Sequence, residues 1–277
     1  MQDLTACTRE ELERRSRARA AAVYVGENVV LCRVLEDFSL YVAAEDGSLS
    51  PHLMFDGYWE SWITLAVARF IRPGMHVVNV GANVGYFAIL FAALVGPDGY
   101  VTAVEPQLDL CHLIARSAIV NGLSRRLNVV PVAAGDGDAS TVIVVNPLLR
   151  GMAHVQADGP RALMMADGAA REVAQATLDD ILAGSAHRRR VDLLFMDAEG
   201  SEQRVLRGAT QMLANNPDVT IVMEFIPSMY EDPVGFAREL AALGRTMYEI
   251  TTDGGLREVD WLWLRDQTST NIVLAKS

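Results

Sequence analysis

The stretch that decides the fold is Val77-Val78-Asn79-Val80-Gly81-Ala82-Asn83-Val84-Gly85-Tyr86. Residues 76–80 are β-branched and apolar around Asn79, the pattern of a strand buried on both faces. Gly81 then opens a tight turn, and a helix begins almost at once. Glycines there let backbone amides approach a ligand, and the helix start offers N–H groups with no partner inside the helix. A buried strand that passes through a glycine turn into a helix is the first half of a β-α-β unit.

The same alternation repeats outward from this turn. Residues 86–94 read as a helix, 100–104 as a second strand, 109–121 as a helix and 128–132 as a third strand. Fully buried strands alternating with helices imply an α/β fold with a parallel, doubly wound sheet and right-handed crossovers. The rhythm breaks over 137–176, which holds one strand (141–145) and then a Gly-, Ala- and Met-rich stretch with little periodicity. That segment reads as a surface insertion. Thr177-Leu178-Asp179-Asp180 is a capping box, and strands follow at 191–196, 219–224, 248–251 and 272–275. Upstream, Thr8-Arg9-Glu10-Glu11 caps a helix expected to run to about residue 22. Strands over 29–34 and 38–43 come next, then a turn-rich aromatic segment, then a helix that stops before Pro73-Gly74. The expected organisation is an N-terminal helix and strand extension, 1–60, ahead of one large domain, 61–277.

Glu105-Pro106 ends the second strand, 24 residues after Gly81. A carboxylate at that point can accept hydrogen bonds from both hydroxyls of a ribose. A pyrophosphate-binding turn needs G-x-G-x-x-G. Here the glycines stand four apart, with Asn83 between them and Tyr86 in place of a third, which crowds a pyrophosphate and suits a smaller amino-acid moiety.

The chain has 277 residues, half of them hydrophobic, and a net charge of −11. That composition supports a sizeable core. Nucleic-acid binders show basic stripes, because phosphate contacts supply much of their affinity. The basic clusters here, Arg14 to Arg19 and His187-Arg188-Arg189-Arg190, read as solvated faces and helix-end complements, so no nucleic-acid partner is expected. Apolar runs such as 89–95 fall short of the roughly 20 residues that span a bilayer, and the first twenty residues lack the apolar core of a signal peptide. Cys7, Cys32 and Cys111 are scattered and form neither a disulfide framework nor a zinc site. A cytoplasmic protein without a membrane partner is the expectation. Composition leaves the oligomeric state open.

These motifs together resemble class I methyltransferases, and more narrowly the FkbM-type family, from about Leu53 to the C-terminus. The resemblance rests on Gly57-Tyr58-Trp59-Glu60, the Val80 to Phe87 turn, Glu105-Pro106, Ala133-Ala134-Gly135-Asp136 and Thr177-Leu178-Asp179. It continues through Met196-Asp197-Ala198-Glu199-Gly200-Ser201-Glu202 and Met223-Glu224-Phe225. It implies a seven-stranded sheet with an antiparallel last strand, S-adenosylmethionine as methyl donor, and a hydroxyl acceptor on a sugar or secondary metabolite. Asn79, Gly81, Ala82, Asn83, Gly85, Tyr86, Glu105, Pro106 and Asp136 would then form the cofactor site. Two departures stand out. The family's first strand usually carries an acid where this chain has Asn79, and the position before Met196-Asp197 is usually lysine where this chain has Phe195.

Methyl transfer is an in-line displacement, and a hydroxyl acceptor must also lose a proton to a nearby base. Asp197 falls at a strand end beside the switch point of the sheet, where ligands of open sheets bind. Glu199 follows two residues later. Asp197 is therefore expected to orient the cofactor or acceptor and Glu199 to be the base, with helix-dipole compensation as the alternative role of Glu199 and Glu202. His52, Tyr58, Glu60, His154 and Glu224 are candidate acceptor contacts, with 1–60 and 137–176 covering that side. Asp197, Glu199 and Glu224 could instead supply oxygen ligands to Mg²⁺; if they face different cavities they hold no metal, and no metal ligand is assigned. N- or C-methylation, a non-catalytic nucleotide-binding module and a nicotinamide oxidoreductase are the competing functions, the last disfavoured by the glycine spacing.

Overall fold

In the computed structural model, residues 4–137, 139–146, 148–149, 153–155, 168–184 and 190–276 are described. Part of the expected 137–176 insertion and residues 187–189 of the second basic cluster lie outside them. In chain order the elements are α1 (Arg9–Arg19), β1 (Ala21–Gly26), β2 (Val29–Val34), β3 (Phe38–Ala43), α2 (Ser50–Phe55) and α3 (Ser61–Ala68). Next come β4 (His76–Val80), α4 (Tyr86–Leu94), β5 (Tyr100–Val104), α5 (Leu108–Val120), β6 (Leu127–Val130), β7 (Ala133–Ala134), β8 (Ala139–Val145), β9 (His154–Val155) and β10 (Ala169–Ala176). The rest are α6 (Leu178–Ala183), β11 (Leu193–Met196), α7 (Glu202–Arg207), α8 (Thr210–Asn215), β12 (Thr220–Phe225), α9 (Pro233–Ala242), β13 (Thr246–Ile250), β14 (Leu256–Val259), α10 (Trp261–Arg265) and β15 (Thr270–Ala275).

The main sheet has the order β14-β13-β15-β12-β11-β4-β5-β6. Strands β12, β11, β4, β5 and β6 are mutually parallel, and β15 enters antiparallel between β12 and β13. β4 and β11 are buried along their whole length, which explains their near-continuous apolar runs. Alternation along β4 divides the interior. Val77 joins a core with Leu90, Phe91, Ile114 and Phe195, whereas Val78 and Val80 join Met196, Phe225, Phe236 and Leu240 on the other face. Helices therefore cover both faces, and the switch point falls between β4 and β11, on either side of which the connections run in opposite directions.

Among the described residues the main sheet has eight strands where seven were expected. The extra one, β14, is an antiparallel hairpin partner of β13 at the sheet edge. Its sequence Leu256-Arg257-Glu258-Val259 is mostly exposed, so it carries no buried-strand pattern. A second sheet, β7-β10-β8-β9, joins β7 to three strands of the segment read as an insertion, of which the strand over 141–145 was expected. β10 escaped the sequence reading because Ala169–Ala176 is almost wholly exposed.

The N-terminal extension shares the first core. Leu40, Val42 and Leu53 are fully buried in it. β3 is tied to α5 by Tyr41 N–H donating to Ser117 Oγ at 3.0 Å and by Asn121, which bonds Ser39 N–H at 3.0 Å and Ser39 C=O at 2.6 Å. α1 stops at Arg19, three residues short of expectation. Ala20 turns extended (φ −56°, ψ 132°) so that Ala21 can start β1, which pairs with β2. Among the described residues, no helix is long and apolar enough to cross a membrane.

Candidate active site

The turn after β4 is set by contacts to two neighbouring strands. Gly81 and Ala82 N–H both donate to Val104 C=O, at 3.0 and 3.1 Å, and Asp197 N–H donates to Val80 C=O at 3.1 Å. Gly81 has φ +75°, and a Cβ placed there would stand 1.8 Å from the Asp197 carbonyl oxygen. Only glycine fits between the β4 turn and the chain leaving β11. Gly85 serves packing: at φ +90°, its missing Cβ leaves room for Ile114 of α5.

Glu105 closes the other side of this turn. It is 3% exposed, and its carboxylate accepts from Asn83 N–H and Gln107 N–H, both at 2.9 Å. Burial pushes its acid up to about 7 against the pull of those amides. One side chain thus fixes both the β4 and β5 loops and keeps a carboxylate at the mouth between them.

A cleft of about 650 Å³, counting its open mouth, runs past this carboxylate. Gly81, Asn83, Glu105, Pro106 and Gln107 line one part; Val132, Ala133, Ala134 and Ile143 form an apolar wall with His154; Asp197, Ala198, Glu199 and Ser201 close the far end.

The far end is rich in carboxylates. Burial raises the Asp197 acid well above its ordinary value, and Glu224, Glu60, Glu199 and Glu202 raise it further. Burial, then Glu224, lifts Glu60 to about 7, and burial, then Glu202, lifts Glu224. Glu202 has a separate task. It is 1% exposed, accepts from Ala198 N–H at 2.8 Å and Gly200 N–H at 3.4 Å, and is held by the Tyr230 hydroxyl at 2.8 Å. It therefore clamps the loop that carries Glu199. Glu199 itself stands at φ 49° before the helix, which begins at Glu202, so the helix-start role belongs to Glu202.

The structure brings together Gly81, Asn83, Glu105, Pro106, His154, Asp197 and Glu199 around the cleft, with Glu60 and Glu224 in electrostatic reach of Asp197. Other expected residues stand elsewhere. Tyr86 is buried in the first core, its hydroxyl bonded to Thr64 Oγ1 at 3.1 Å, and Ala82 is buried beside it in that core. Asn79 is 1% exposed within β4, and its Oδ1 has no hydrogen-bond partner among the described residues. Asp136 points outward to Arg204 at 3.0 Å. His52 is exposed, pairs with Asp56 at 3.3 Å and tilts against Trp59. Tyr58 lies under the Arg17 guanidinium, 5.1 Å from its ring centre, and bonds it through the hydroxyl. Among the described residues, no three His, Cys, Asp or Glu side chains converge as metal ligands, so Asp197, Glu199 and Glu224 do not form the Mg²⁺ set considered from sequence.

Sequence reasoning passed over Gln107, the Val132 to Ala134 wall, Ile143 and Ser201. Gln107 could have been found as the first amide able to turn back onto Glu105. The wall residues are small and apolar, and nothing in their chemistry distinguishes them from core.

A family model described as the methyltransferase FkbM domain matches residues 79–250, more than half of the chain. The chain belongs to this family of class I, S-adenosylmethionine-dependent methyltransferases. A putative rRNA 2'-O-methyltransferase fibrillarin 3 of Arabidopsis thaliana is 36% identical over 63 residues, 23% of this chain and 20% of that protein. A protein-L-isoaspartate O-methyltransferase of Methanothrix thermoacetophila is 40% identical over 68 residues, 24% of this chain and 30% of that one. The chain thus spans only about a fifth to a third of the length of these curated relatives. Among solved structures, an O-methyltransferase of Bacillus cereus in complex with SAH is similar at a TM-score of 0.45 and 14% identity, over 78% of this chain and 80% of that one.

The residues present fit such a cofactor by their chemistry. An acid, Glu105, lies beside the β4 turn, an apolar wall can receive a flat ring, and Asp197 and Glu199 supply carboxylates that can neutralise a positive ligand.

Proposed function

We propose that the protein methylates a hydroxyl of a small acceptor, on a sugar or a secondary metabolite, with the acceptor entering at the carboxylate-rich end of the cleft. The observation that carries this reading is one cleft lined both by Glu105, locked by two loop amides, and by Asp197, whose acid Glu224 and Glu60 raise. When bound, S-adenosylmethionine supplies a methyl group on a cationic sulfur.

Glu105 would hold the ribose hydroxyls, and Ala133, Ala134 and Ile143 would face the adenine. Gly81 and Asn83 would bound the methionine portion. Asp197 would face the cationic end and orient the acceptor, because a raised acid regains its charge when a cation approaches. Glu199 is assigned as the base that takes the hydroxyl proton, held toward the cleft by the Glu202 clamp. The β8, β9 and β10 segment and the chain before α3 would cover the acceptor, with His154 the histidine closest to that role.

Small acceptors are favoured over nucleic acid by the state of the N-terminal arginines. Arg15 and Arg19 pair with Glu36, and Arg17 pairs with Glu13 and Asp56. Arg15 and Arg17 thus spend their charge within the molecule, and Arg19 keeps a longer contact of 3.6 Å. The reading takes the protein to be a cytoplasmic enzyme of natural-product biosynthesis.

The test is Glu199→Gln, which keeps shape and removes the base. Proton removal by a placed base contributes roughly 10²–10⁴-fold, so turnover in a methyl-transfer assay should fall by about that factor while S-adenosylhomocysteine affinity holds. Turnover equal to wild type would remove Glu199 from the mechanism and move the role to Asp197, Glu60 or His154.

A further inference from the structure

Among the described residues, β1 stands at the edge of the N-terminal sheet, whose order is β1-β2-β3, and pairs on one side only. Its residues, Ala21-Ala22-Val23-Tyr24-Val25-Gly26, include no charge and no proline. Proteins that remain monomeric blunt such edges with lysine, proline, inward charges or a covering loop. Here Val23, Tyr24 and Val25 are 63%, 64% and 44% exposed. The one irregularity, a bulge between Tyr24 and Gly26, lies at the hairpin end. α2 packs beside β1, and its Phe55 is exposed, which adds apolar surface next to the strand.

We propose that β1 is a dimerisation edge, pairing antiparallel with β1 of a second copy about a twofold axis through Val23. Backbone geometry restricts the register. The N–H and C=O groups facing away from β2 come from alternate residues, so two identical strands pair antiparallel only when like-parity residues oppose each other. With the axis at Val23, Val23 faces Val23, Ala22 faces Tyr24 and Ala21 faces Val25, so the uncharged strand is used from end to end.

Charge selects the same register. Just beyond the paired strands it puts Arg19, the last residue of α1, at the same end of the interface as Glu27 in the β1–β2 turn of the other copy, twice per dimer by symmetry. Both residues are exposed. Arg19 has a 3.6 Å contact to Glu36, which Arg15 already holds at 2.7 Å, so its guanidinium can turn to a new partner. An axis at Tyr24 would shift the two copies by two residues and carry Glu27 away from Arg19. The occupant is thus a second copy, since one edge supplies both halves of the complement. At a net charge of −11, two copies repel unless they meet at an uncharged or internally balanced surface, and β1 is such a surface.

The experiment is sedimentation equilibrium of the full chain beside three variants. Wild type should sediment at twice the monomer mass. Val23→Lys, at an exposed site that tolerates the side chain, sets two ammonium groups against each other at the axis and should give a monomer with unchanged circular dichroism. Arg19→Glu should weaken association, and Arg19→Glu combined with Glu27→Arg should restore it. A wild-type monomer at every soluble concentration, or a Val23→Lys dimer, overturns the proposal and leaves the edge to a different chain. Failure of the double swap to restore association overturns the Val23 register.

Discussion

Glu105 and Glu60 have ordinary acid values near 4.5, and burial raises each to about 7. Each binds its proton more tightly in the folded chain than in the unfolded one. The stability they contribute is therefore complete below about 4.5 and is lost as pH rises through about 7. Acids that are lowered by their partners act elsewhere: Asp46, held by Ser48, Ser50 and Leu49, and Asp56, held by Arg17, matter only as pH falls below their ordinary 3.8. The free protein should thus melt at progressively lower temperature as pH is raised from about 4.5 to above 7. Thermal scans across that window check it, and a melting temperature that climbs steadily would contradict the burial of these carboxyls. The same residues explain why the site was only partly legible. Glu105 announces itself because it follows a strand at the right distance from a glycine turn. The closeness of Glu60, Asp197 and Glu224 depends on α3 meeting the ends of β11 and β12, and no local pattern encodes that meeting.

At the scale of elements, β4, α4 and β5 read from sequence with the boundaries they have in the structure. Their signal is burial itself: apolar, β-branched strands and an apolar helix broken by glycine. β1, β10 and β14 did not read, because a strand exposed on both faces or at an edge has no reason to alternate. The capping boxes were sound in both places. Thr8 accepts from Glu11 N–H, Thr177 accepts from Asp180 N–H, and Asp179 goes on to cap α8 by accepting from Gln211 and Met212 N–H at 2.9 and 2.7 Å. The β4 turn is the element most exposed to mutation. Gly81→Ala adds a methyl at φ +75° and drives it into the Asp197 carbonyl. A positive φ costs alanine about 1–2 kcal/mol and overpacking about 1–3, so denaturant unfolding should show a loss of about 2–5 kcal/mol. Stability within a few tenths of wild type would mean that the β4 and β11 ends are further apart than described.

For the whole molecule, one layered fold serves two purposes. The sheet between its two cores brings the ends of β4, β5 and β11 to a common point, and the N-terminal extension is bonded into the first core so that α3 can deliver Glu60 beside them. The doubly wound class was legible from the alternation of strands and helices. The site's second wall was not, since it comes from the chain between β6 and β9, where β7 and β8 are held by pairing with the distant β10. The central claim is that the cleft at those strand ends holds the adenosyl cofactor through Glu105. It is tested most directly by calorimetric titration of S-adenosylhomocysteine into wild type and Glu105→Ala, with circular dichroism to confirm the fold of both. Hydrogen bonds to a charged group contribute about 1.5–3 kcal/mol, so the account predicts one site per chain in the wild type and affinity about 10- to 100-fold weaker in the variant. Equal affinity in the two proteins would contradict it.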